Sequence, residues 1–355
     1  MRRFAAQSER CFGGDSRYDL QNVAQGFSSR LDASSDDTEL LKRICRAYAR
    51  SASNVEAERS LFGPTSWWKR QRERRLGPVM QALRECDTCA LRAMYANFFR
   101  DRCSSGLIKA YFEDPIREIH LKSYLGDALY RLDYWLAETG GRHKMAELAG
   151  PKVGNPFGVV IDDTLVQYGA EYQHYCAHRV LSCLDGSPKV VGEIGGGYGG
   201  MAYFLLRAGA PVRYIGFDLP ESLALASYYL MKSLPSARFL LYGEADLTAD
   251  RLAAFDVVLL PLFEMARVGQ GSIGLTFSAH VMGDLSDDAV SQYLDLICRM
   301  TTHRLLYLGD SRAADRLVSL GDGHVTLVAG RSTGWNRHEA PEAEEGEYLY
   351  RLGRG

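Results

Sequence analysis

The sequence predicts an α/β protein with a doubly wound, largely parallel sheet, preceded by a helical region. From about residue 185 onward, short apolar runs alternate with segments of helix length, and the first run ends in a cluster of glycines, Gly195–Gly200. Strands that alternate with helices of this length form parallel sheets with helices on both faces. Residues 1–150, in contrast, show helical periodicity and no strand pattern. Together these observations predict a Rossmann-like sheet domain with a helical N-terminal domain.

Length and composition are those of an ordinary folded protein. The 355 residues include 46% hydrophobic and 24% charged residues, and the formal net charge is −2. This balance does not indicate an electrostatic nucleic-acid binder. We see no signal peptide, and no apolar run approaches the roughly 18 residues of a membrane span. The eight cysteines follow no disulfide framework. We therefore expect a cytoplasmic protein with no nucleic-acid partner and no transmembrane segment.

Three amphipathic segments predict the helical region. Asp37 is placed to cap the first helix, the second runs from about Pro78 to Arg100, and the third follows Pro115 and stops at Gly140. Amphipathic helices must bury their apolar faces against each other or against a neighbouring domain. We therefore predict that residues 1–150 form a helical domain or cap and that residues 151–355 form the sheet domain.

Eight runs of the sheet domain are predicted as strands. The last two of them are expected to close one edge of the sheet as an antiparallel hairpin. The runs are Lys189–Ile194, Tyr214–Phe217, Arg238–Tyr242, Asp256–Leu260, Gly274–Phe277, Arg304–Leu308, His324–Val328 and Tyr348–Arg351. Pro220 suits the first turn of a helix that stops at Leu234.

The glycine cluster follows the first of these strands. In open α/β sheets, ligands bind outside the carboxyl ends of the strands, and glycines there permit a tight turn and close approach of the backbone to a ligand. Gly195, Gly197 and Gly200 formally satisfy the dinucleotide pattern G-x-G-x-x-G. Glu193 and Gly199 turn the same stretch into Glu-x-Gly-x-Gly-x-Gly, and a carboxylate there would repel an anionic pyrophosphate. A nucleoside cofactor is predicted, with an NAD(P)-dependent oxidoreductase as the first alternative.

Three further residues complete the predicted cofactor site. Asp218 ends the second strand about twenty residues after the turn, where an acid suits the ribose hydroxyls of a nucleoside. Tyr198 lies within the glycine turn, and Leu219 follows Asp218 directly. We expect both to line the same site.

Two motifs carry a resemblance to a known family. The stretch VVGEIGGGYGGMAY at 190–203, followed by GFDLPE at 216–221, resembles the sugar O-methyltransferase family, whose members are class I S-adenosylmethionine-dependent methyltransferases. The similarity extends to Gly154–Pro156 upstream, and to Ser278–Met282 and Trp335 downstream. It implies S-adenosyl-L-methionine as cofactor and methylation of a sugar hydroxyl in a glycan, a nucleotide sugar or a glycosylated metabolite, as in polysaccharide biosynthesis. Where the family tends to have S-F-x-E-M, this chain has Ser-Ala-His-Val-Met at 278–282 and therefore lacks the glutamate.

Catalytic candidates are sought at the ends of the later strands. A sugar hydroxyl is a poor acid, so a general base helps, and histidine has a suitable pKa. His280, just past the run Gly274–Phe277, is the predicted base, and Asp284 is placed to orient it or to act instead. A partly buried, hydrogen-bonded histidine, or one that only hydrogen-bonds the substrate, is the alternative for His280. If Asp256–Leu260 is the central strand, Glu264 becomes the better-placed acid. Glu244 is predicted to contact adenine, with an acidic surface loop as the alternative.

The remaining features leave alternatives open. His174 and His178 are four residues apart on a predicted helix, but a pair of histidines without further ligands does not predict a metal site. Some sugar methyltransferases use a divalent cation to make the hydroxyl more acidic, so that alternative stays open. The basic run Lys69–Arg75 follows Trp67 and Trp68, and is interpreted as a solvated helix face with the tryptophans underneath. A phosphate-bearing glycan or a membrane surface is its alternative ligand. A non-catalytic partner in a biosynthetic complex is the second functional alternative, and self-association is left open.

Overall fold

The computed structural model describes two compact units. The described residues are 2–32, 36–54, 56–57, 60–109, 112, 115–186, 188–338, 340, 342 and 344–353. The first unit comprises Met1–Asp36, Ala93–Cys176 and Gly334–Ala343, and the second comprises Asp37–Arg92, Ala177–Thr333 and Glu344–Gly355. The units interleave along the chain, and part of the predicted helical region, 37–92, belongs to the unit that contains the sheet. A boundary between folding domains near residue 150 stays a prediction.

The first unit is mainly helical. A 21-residue helix, Glu118–Glu138, ends just before Gly140, as predicted. Phe157 packs edge-on against Phe27 and Phe112, with ring centroids 5.2 and 5.1 Å apart. The remaining elements are the helices Arg2–Phe12 and Leu20–Phe27, the 3-10 turns Arg102–Ser104 and Met145–Leu148, and the hairpin of β1 (Gly158–Ile161) and β2 (Thr164–Gln167). The helices Thr88–Tyr95 and Ala170–Cys183 each cross from one unit to the other along the chain.

The second unit is built on an eight-stranded sheet. Its strands are β3 (Val190–Ile194), β4 (Arg213–Asp218), β5 (Phe239–Leu241), β6 (Val257–Pro261), β7 (Ile273–Ala279), β8 (Thr301–Asp310), β9 (Val325–Ser332) and β10 (Glu345–Leu352). Their order is β5-β6-β4-β3-β7-β8-β10-β9, parallel except for β10, which pairs antiparallel with both neighbours. All eight predicted strands and the antiparallel closing hairpin are confirmed, and the chain has the predicted doubly wound α/β class.

The strand order fixes where a ligand can bind. From β3 the chain passes to β4 on one side, and after β5 and β6 it returns to β7 on the other side of β3. Ligands in open α/β sheets bind at such a reversal, outside the carboxyl ends of the strands. The reversal lies between β3 and β7. One feature was not predicted: β6 pairs with both β4 and β5, so that β5 is the edge strand.

Helices flank the sheet and complete the second unit. Their bounds are Thr38–Ala52, Ser66–Gln71, Gly77–Glu85, Gly200–Arg207, Pro220–Ser233, Ala249–Ala253, Asp287–Met300 and Ser311–Leu320, with a π-helical segment Arg72–Leu76 and 3-10 turns Leu262–Arg267 and Val281–Asp284. The helix expected over 78–100 is broken at Cys86, whose φ of 52° is left-handed and ends a helix. None of the helices within the described ranges has the length and hydropathy to cross a membrane.

The predicted role of Asp37 is corrected by the structure. Asp37 precedes the helix Thr38–Ala52, but its side chain makes no capping hydrogen bond. The buried carboxylate instead accepts hydrogen bonds from Tyr228 Oη at 2.8 Å and from Lys232 Nζ at 2.7 Å. These bonds link the start of the helix 38–52 to the helix 220–233. They also supply the pairing that a buried charge needs.

Candidate active site

The glycine turn after β3 requires glycine at alternate positions. Gly195, Gly197 and Gly199 have φ values of +79°, +59° and +89°. An L-residue pays roughly 1–2 kcal/mol in this region. A Cβ on Gly195 would lie 2.1 Å from Cγ2 of Val281, so the backbone also passes too close for a side chain. The conformation therefore follows the spacing of Glu-x-Gly-x-Gly-x-Gly, whereas Gly200 is the first residue of the next helix.

Glu193 lies directly beneath this turn. Its side chain is buried, and Oε2 accepts a hydrogen bond from Tyr214 Oη at 2.5 Å. A Cβ on Gly196 would lie 2.8 Å from the same oxygen, which shows how closely the carboxyl underlies the backbone. Burial raises the pKa of Glu193 to about 7, and the hydrogen bond from Tyr214 works in the opposite direction.

Asp218 joins the end of β4 to the glycine turn. Its Oδ2 accepts a hydrogen bond from the amide of Gly197 at 2.8 Å, and its Oδ1 accepts one from the amide of Leu219 at 2.7 Å. Asp218 is half-buried. Desolvation raises its pKa to about 7, whereas the two amide bonds lower it. The structure thus brings Asp218, Gly197 and Leu219 together as predicted from their order in the sequence.

The side chain of Tyr198 packs inward. Its ring is mostly buried and makes an edge contact with Tyr229, with centroids 5.2 Å apart. This packing holds the turn against the helix 220–233. The contribution of Tyr198 to a ligand would come from its backbone.

Glu244 is separated from Asp218 by a whole strand. It follows the edge strand β5, accepts the amide of Leu241, and forms a bidentate ion pair with Arg43 at 2.5 and 2.8 Å. Burial favours a higher pKa for Glu244, but Arg43 and the Leu241 amide outweigh it and hold the pKa below its usual value. Because β6 intervenes, β5 and β4 are roughly 10 Å apart. An adenine contact by Glu244 stays a prediction that this topology disfavours.

His280 directly follows the strand next to β3. Its φ of +63° is left-handed, its amide donates to the carbonyl of Leu308 at 2.8 Å, and it is exposed. The 3-10 turn Val281–Asp284 comes next, and Val281 is the residue that contacts Gly195. Unusual backbone conformations concentrate at functional sites. The structure therefore brings His280 and the turn that ends at Asp284 to the reversal of the sheet.

Glu264 lies elsewhere in the sheet. It follows β6, is buried, and pairs with Arg267 at 3.2 Å. β6 and β7 are separated by β4 and β3, which is roughly 14 Å of sheet. Glu264 and His280 therefore follow strands that are not neighbours, and β7 rather than β6 lies beside β3. A catalytic role for Glu264 stays a prediction.

Tyr307 was missed by the sequence reasoning. It lies in β8, is fully buried, and its hydroxyl has no hydrogen-bond partner among the described residues. A Cβ on Gly283 would lie 3.9 Å from this hydroxyl, so the tyrosine underlies the turn 281–284. Nothing in the sequence could have revealed it, because a tyrosine in a central strand is indistinguishable from ordinary core.

One group in the first unit has the composition of a metal site. The ligand atoms of His143, Glu147 and His174 all lie within 4.8 Å of one another. However, Trp135 Nε1, which can only donate, bonds to Nδ1 of His174 at 3.2 Å. The neutral imidazole then keeps its proton on Nε2, whereas a metal-bound histidine normally donates from its other nitrogen. The arrangement is that of a hydrogen-bonded network rather than a metal site.

Comparison with known proteins identifies similar solved structures. No family model matches the sequence, and no curated protein matches it. The magnesium protoporphyrin IX methyltransferase ChlM from Synechocystis PCC 6803 is 13% identical with a TM-score of 0.37, over 64% of this chain and 97% of ChlM. The pyocyanin biosynthetic protein PhzM is 15% identical with a TM-score of 0.35, over 53% and 57%. The mitomycin 7-O-methyltransferase MmcR is 16% identical with a TM-score of 0.35, over 52% and 55%.

The chain thus spans little more than half the length of PhzM and of MmcR, at 57% and 55%. Overlaps with scores this low support no conclusion about activity. The fold class rests on the sheet topology of the chain itself. The resemblance to sugar O-methyltransferases stays a prediction.

Proposed function

We propose that this chain is an S-adenosylmethionine-dependent methyltransferase that transfers a methyl group to a sugar hydroxyl. The observation that carries the proposal is the buried carboxyl of Glu193 beneath the Gly195–Gly199 turn, with Asp218 bonded to Gly197 at the reversal of the sheet. The sugar rests on the resemblance of the 190–203 and 216–221 motifs alone. We also propose a cytoplasmic location, with self-association left open.

The donor set fits a cationic cofactor better than an anionic one. S-adenosylmethionine supplies an activated methyl group on a positively charged sulfonium. Glu193 and Asp218 place two carboxyls against the glycine turn, and each gains from a nearby positive charge when it ionises. The carboxyl of Glu193 would repel the pyrophosphate of NAD(P), so the oxidoreductase alternative is disfavoured, whereas an acid at the place of Asp218 suits the ribose of either cofactor. Glu193 would hold the methionine end, and Asp218 the ribose hydroxyls.

His280 and Asp284 supply what the acceptor needs. His280 would accept the proton of the sugar hydroxyl, and Asp284 would orient its imidazole. Most of the acceleration would come from holding the acceptor in line, because positioning of two reactants can contribute several orders of magnitude. Removal of the general base is expected to cost a further 10²–10⁴-fold in rate.

The experiment is transfer of a labelled methyl group to a panel of sugars, nucleotide sugars and glycosylated metabolites. His280→Ala is expected to lower kcat by about 10²–10⁴-fold, and Asp284→Asn by less. His324→Ala and Asp288→Asn, which also alter exposed residues of the second unit, are the matched controls. Equal turnover in all four variants would refute the assigned base. Cofactor binding without turnover on any acceptor would favour the non-catalytic alternative.

A further inference from the structure

We propose that Glu221, clamped by Arg72 and Trp68, is a positioning residue that holds Asp218 in place for the cofactor. The inference rests on the proposed function, since Asp218 is there the acid that meets the ribose. It assigns a role to the segment 66–76, which the sequence presented as a solvated helix face. Three observations carry it: the contacts of Glu221, its place in the chain, and its charge.

The first observation is the complete engagement of a buried carboxylate. Arg72 donates from Nε to Oε1 of Glu221 at 2.6 Å and from Nη2 to Oε2 at 2.9 Å, and Trp68 Nε1 donates to Oε1 at 2.5 Å. The side chains of Arg72 and Glu221 are only 12% and 4% exposed. Bidentate arginine–carboxylate pairs of this kind are strong and fix orientation. Glu221 is therefore held in one position.

The segment that supplies the clamp has an unusual backbone. Thr65 caps the short helix Ser66–Gln71 by accepting the amide of Trp68, and the helix continues into the π-helical segment Arg72–Leu76. Residues four apart on a helix share one face, so Trp68 and Arg72 point the same way. The neighbouring Lys69, Arg70 and Arg74 are exposed. π-Helical turns occur frequently at functional sites.

The second observation is the path from Glu221 to the glycine turn. Glu221 is the second residue of the helix Pro220–Ser233, where the helix dipole favours an anion. Only Leu219 and Pro220 separate it from Asp218, and the amides of Leu219 and Gly197 both bond to that acid. Fixing the first turn of the helix therefore fixes Asp218, and Asp218 in turn fixes the glycine turn. Supporting contacts of this kind preorganise a binding site.

The third observation is electrostatic. The negative charge of Glu221 disfavours ionisation of Asp218. Because Arg72 pairs with Glu221, we expect its guanidinium to offset that charge. Loss of Arg72 should therefore make Asp218 harder to ionise, and loss of the Glu221 charge should make it easier. A merely structural clamp would not give these opposite signs.

Other titratable groups also face this region. Glu193, Tyr214 and Tyr293 interact electrostatically with Asp218. Tyr48 interacts electrostatically with Glu221 and Arg72 of the clamp, and also with Arg84. The substitutions below leave all of these groups in place, so differences between variants report on the clamp.

The test is calorimetric titration with S-adenosylhomocysteine between pH 5.5 and 8.5. Arg72→Gln is expected to weaken binding at pH 7 by on the order of tenfold, because a buried charge loses its partner, and to move the pH of half-maximal affinity upward. Glu221→Gln should move that pH downward. The double variant should return close to the wild-type profile, and Arg74→Gln, an exposed neighbour, should match the wild type throughout. Identical pH profiles, or shifts of the same sign in both single variants, would overturn the proposal.

A second measurement needs no cofactor. Hydrogen exchange of peptides that contain the amides of Gly197 and Leu219 should be at least severalfold faster in Arg72→Gln than in Arg74→Gln. Trp68→Phe, which keeps an aromatic ring but removes the indole N–H donor, should give a smaller increase. Unchanged exchange in both clamp variants would refute the positioning role. If the wild type binds no homocysteine product at any pH, the proposed function fails, and the exchange data still decide whether Glu221 positions Asp218.

Discussion

Replacement of Glu193 by glutamine is predicted to stabilise the cofactor-free protein at alkaline pH. In the folded chain the pKa of Glu193 is raised to about 7 from an ordinary value of 4.5, mainly by burial. The folded state therefore binds this proton more tightly than the unfolded state. The resulting stability is fully present below pH 4.5 and is lost as the pH rises through 7. At pH 8 the ionised, buried carboxylate costs on the order of 3 kcal/mol, at about 1.36 kcal/mol per pKa unit.

Glutamine is neutral at every pH and keeps an oxygen that can accept the Tyr214 hydrogen bond. Scanning calorimetry should show nearly equal melting temperatures for Glu193→Gln and wild type at pH 5, and a variant that melts several degrees higher at pH 8. Glu73→Gln, at an exposed position, is the control for loss of a charge and should show no such difference. A variant that melts lower than wild type by the same amount at both pH values would show that the ionised carboxylate of Glu193 does not destabilise the folded state.

Three further pairs of substitutions test the packing around the site and the helix contacts. Gly195→Ala should lose more stability than Gly209→Ala. Both glycines have a left-handed φ (+79° and +71°), but only the Cβ added at Gly195 would collide with Val281. Equal losses of stability in urea denaturation would contradict this. Tyr307→Phe should leave the free energy of unfolding unchanged or raise it, because the Tyr307 hydroxyl has no partner among the described residues. Tyr350→Phe should lower the free energy of unfolding by about 1 kcal/mol, because it removes the hydrogen bond to the Ala314 carbonyl. A larger loss at Tyr307 would show that its hydroxyl is bonded. Asp37→Ala should cost about 2 kcal/mol, because the half-buried Lys232 and the buried hydroxyl of Tyr228 both lose their carboxylate. Asp19→Ala, which removes a true cap, should cost about 1 kcal/mol. Similar losses would restore a capping role to Asp37.

The parts of this fold that could be predicted from the sequence depend on local signals. The alternation of apolar runs and helices predicted all eight strands of the sheet, because periodicity records which residues face the core. The glycine turn was also predictable, because left-handed φ values at Gly195, Gly197 and Gly199 require glycines at that spacing. The acid at the end of β4 follows from the chain order alone.

The parts that could not be predicted depend on distant partners. Periodicity does not reveal that β6 lies between β4 and β5, and this order is what separates Glu264 from His280 and Glu244 from Asp218. Arg72 looks like any other charge in a basic run, yet it pairs with a carboxylate 149 residues away. Trp68 is buried as expected, whereas Trp67 is 39% exposed. Tertiary packing decides which strands are neighbours and which side chains are buried or paired, and the local sequence does not show the outcome.

The most direct test of the central claim is calorimetric titration of the purified protein with S-adenosylhomocysteine. NADH and NADPH serve as competing cofactors, and Glu193→Ala and Asp218→Ala as variants. The account predicts micromolar binding of the homocysteine product that is lost in both variants, with no binding of either nicotinamide cofactor. Binding of NADH or NADPH, or binding of S-adenosylhomocysteine that survives both substitutions, would contradict the proposed function.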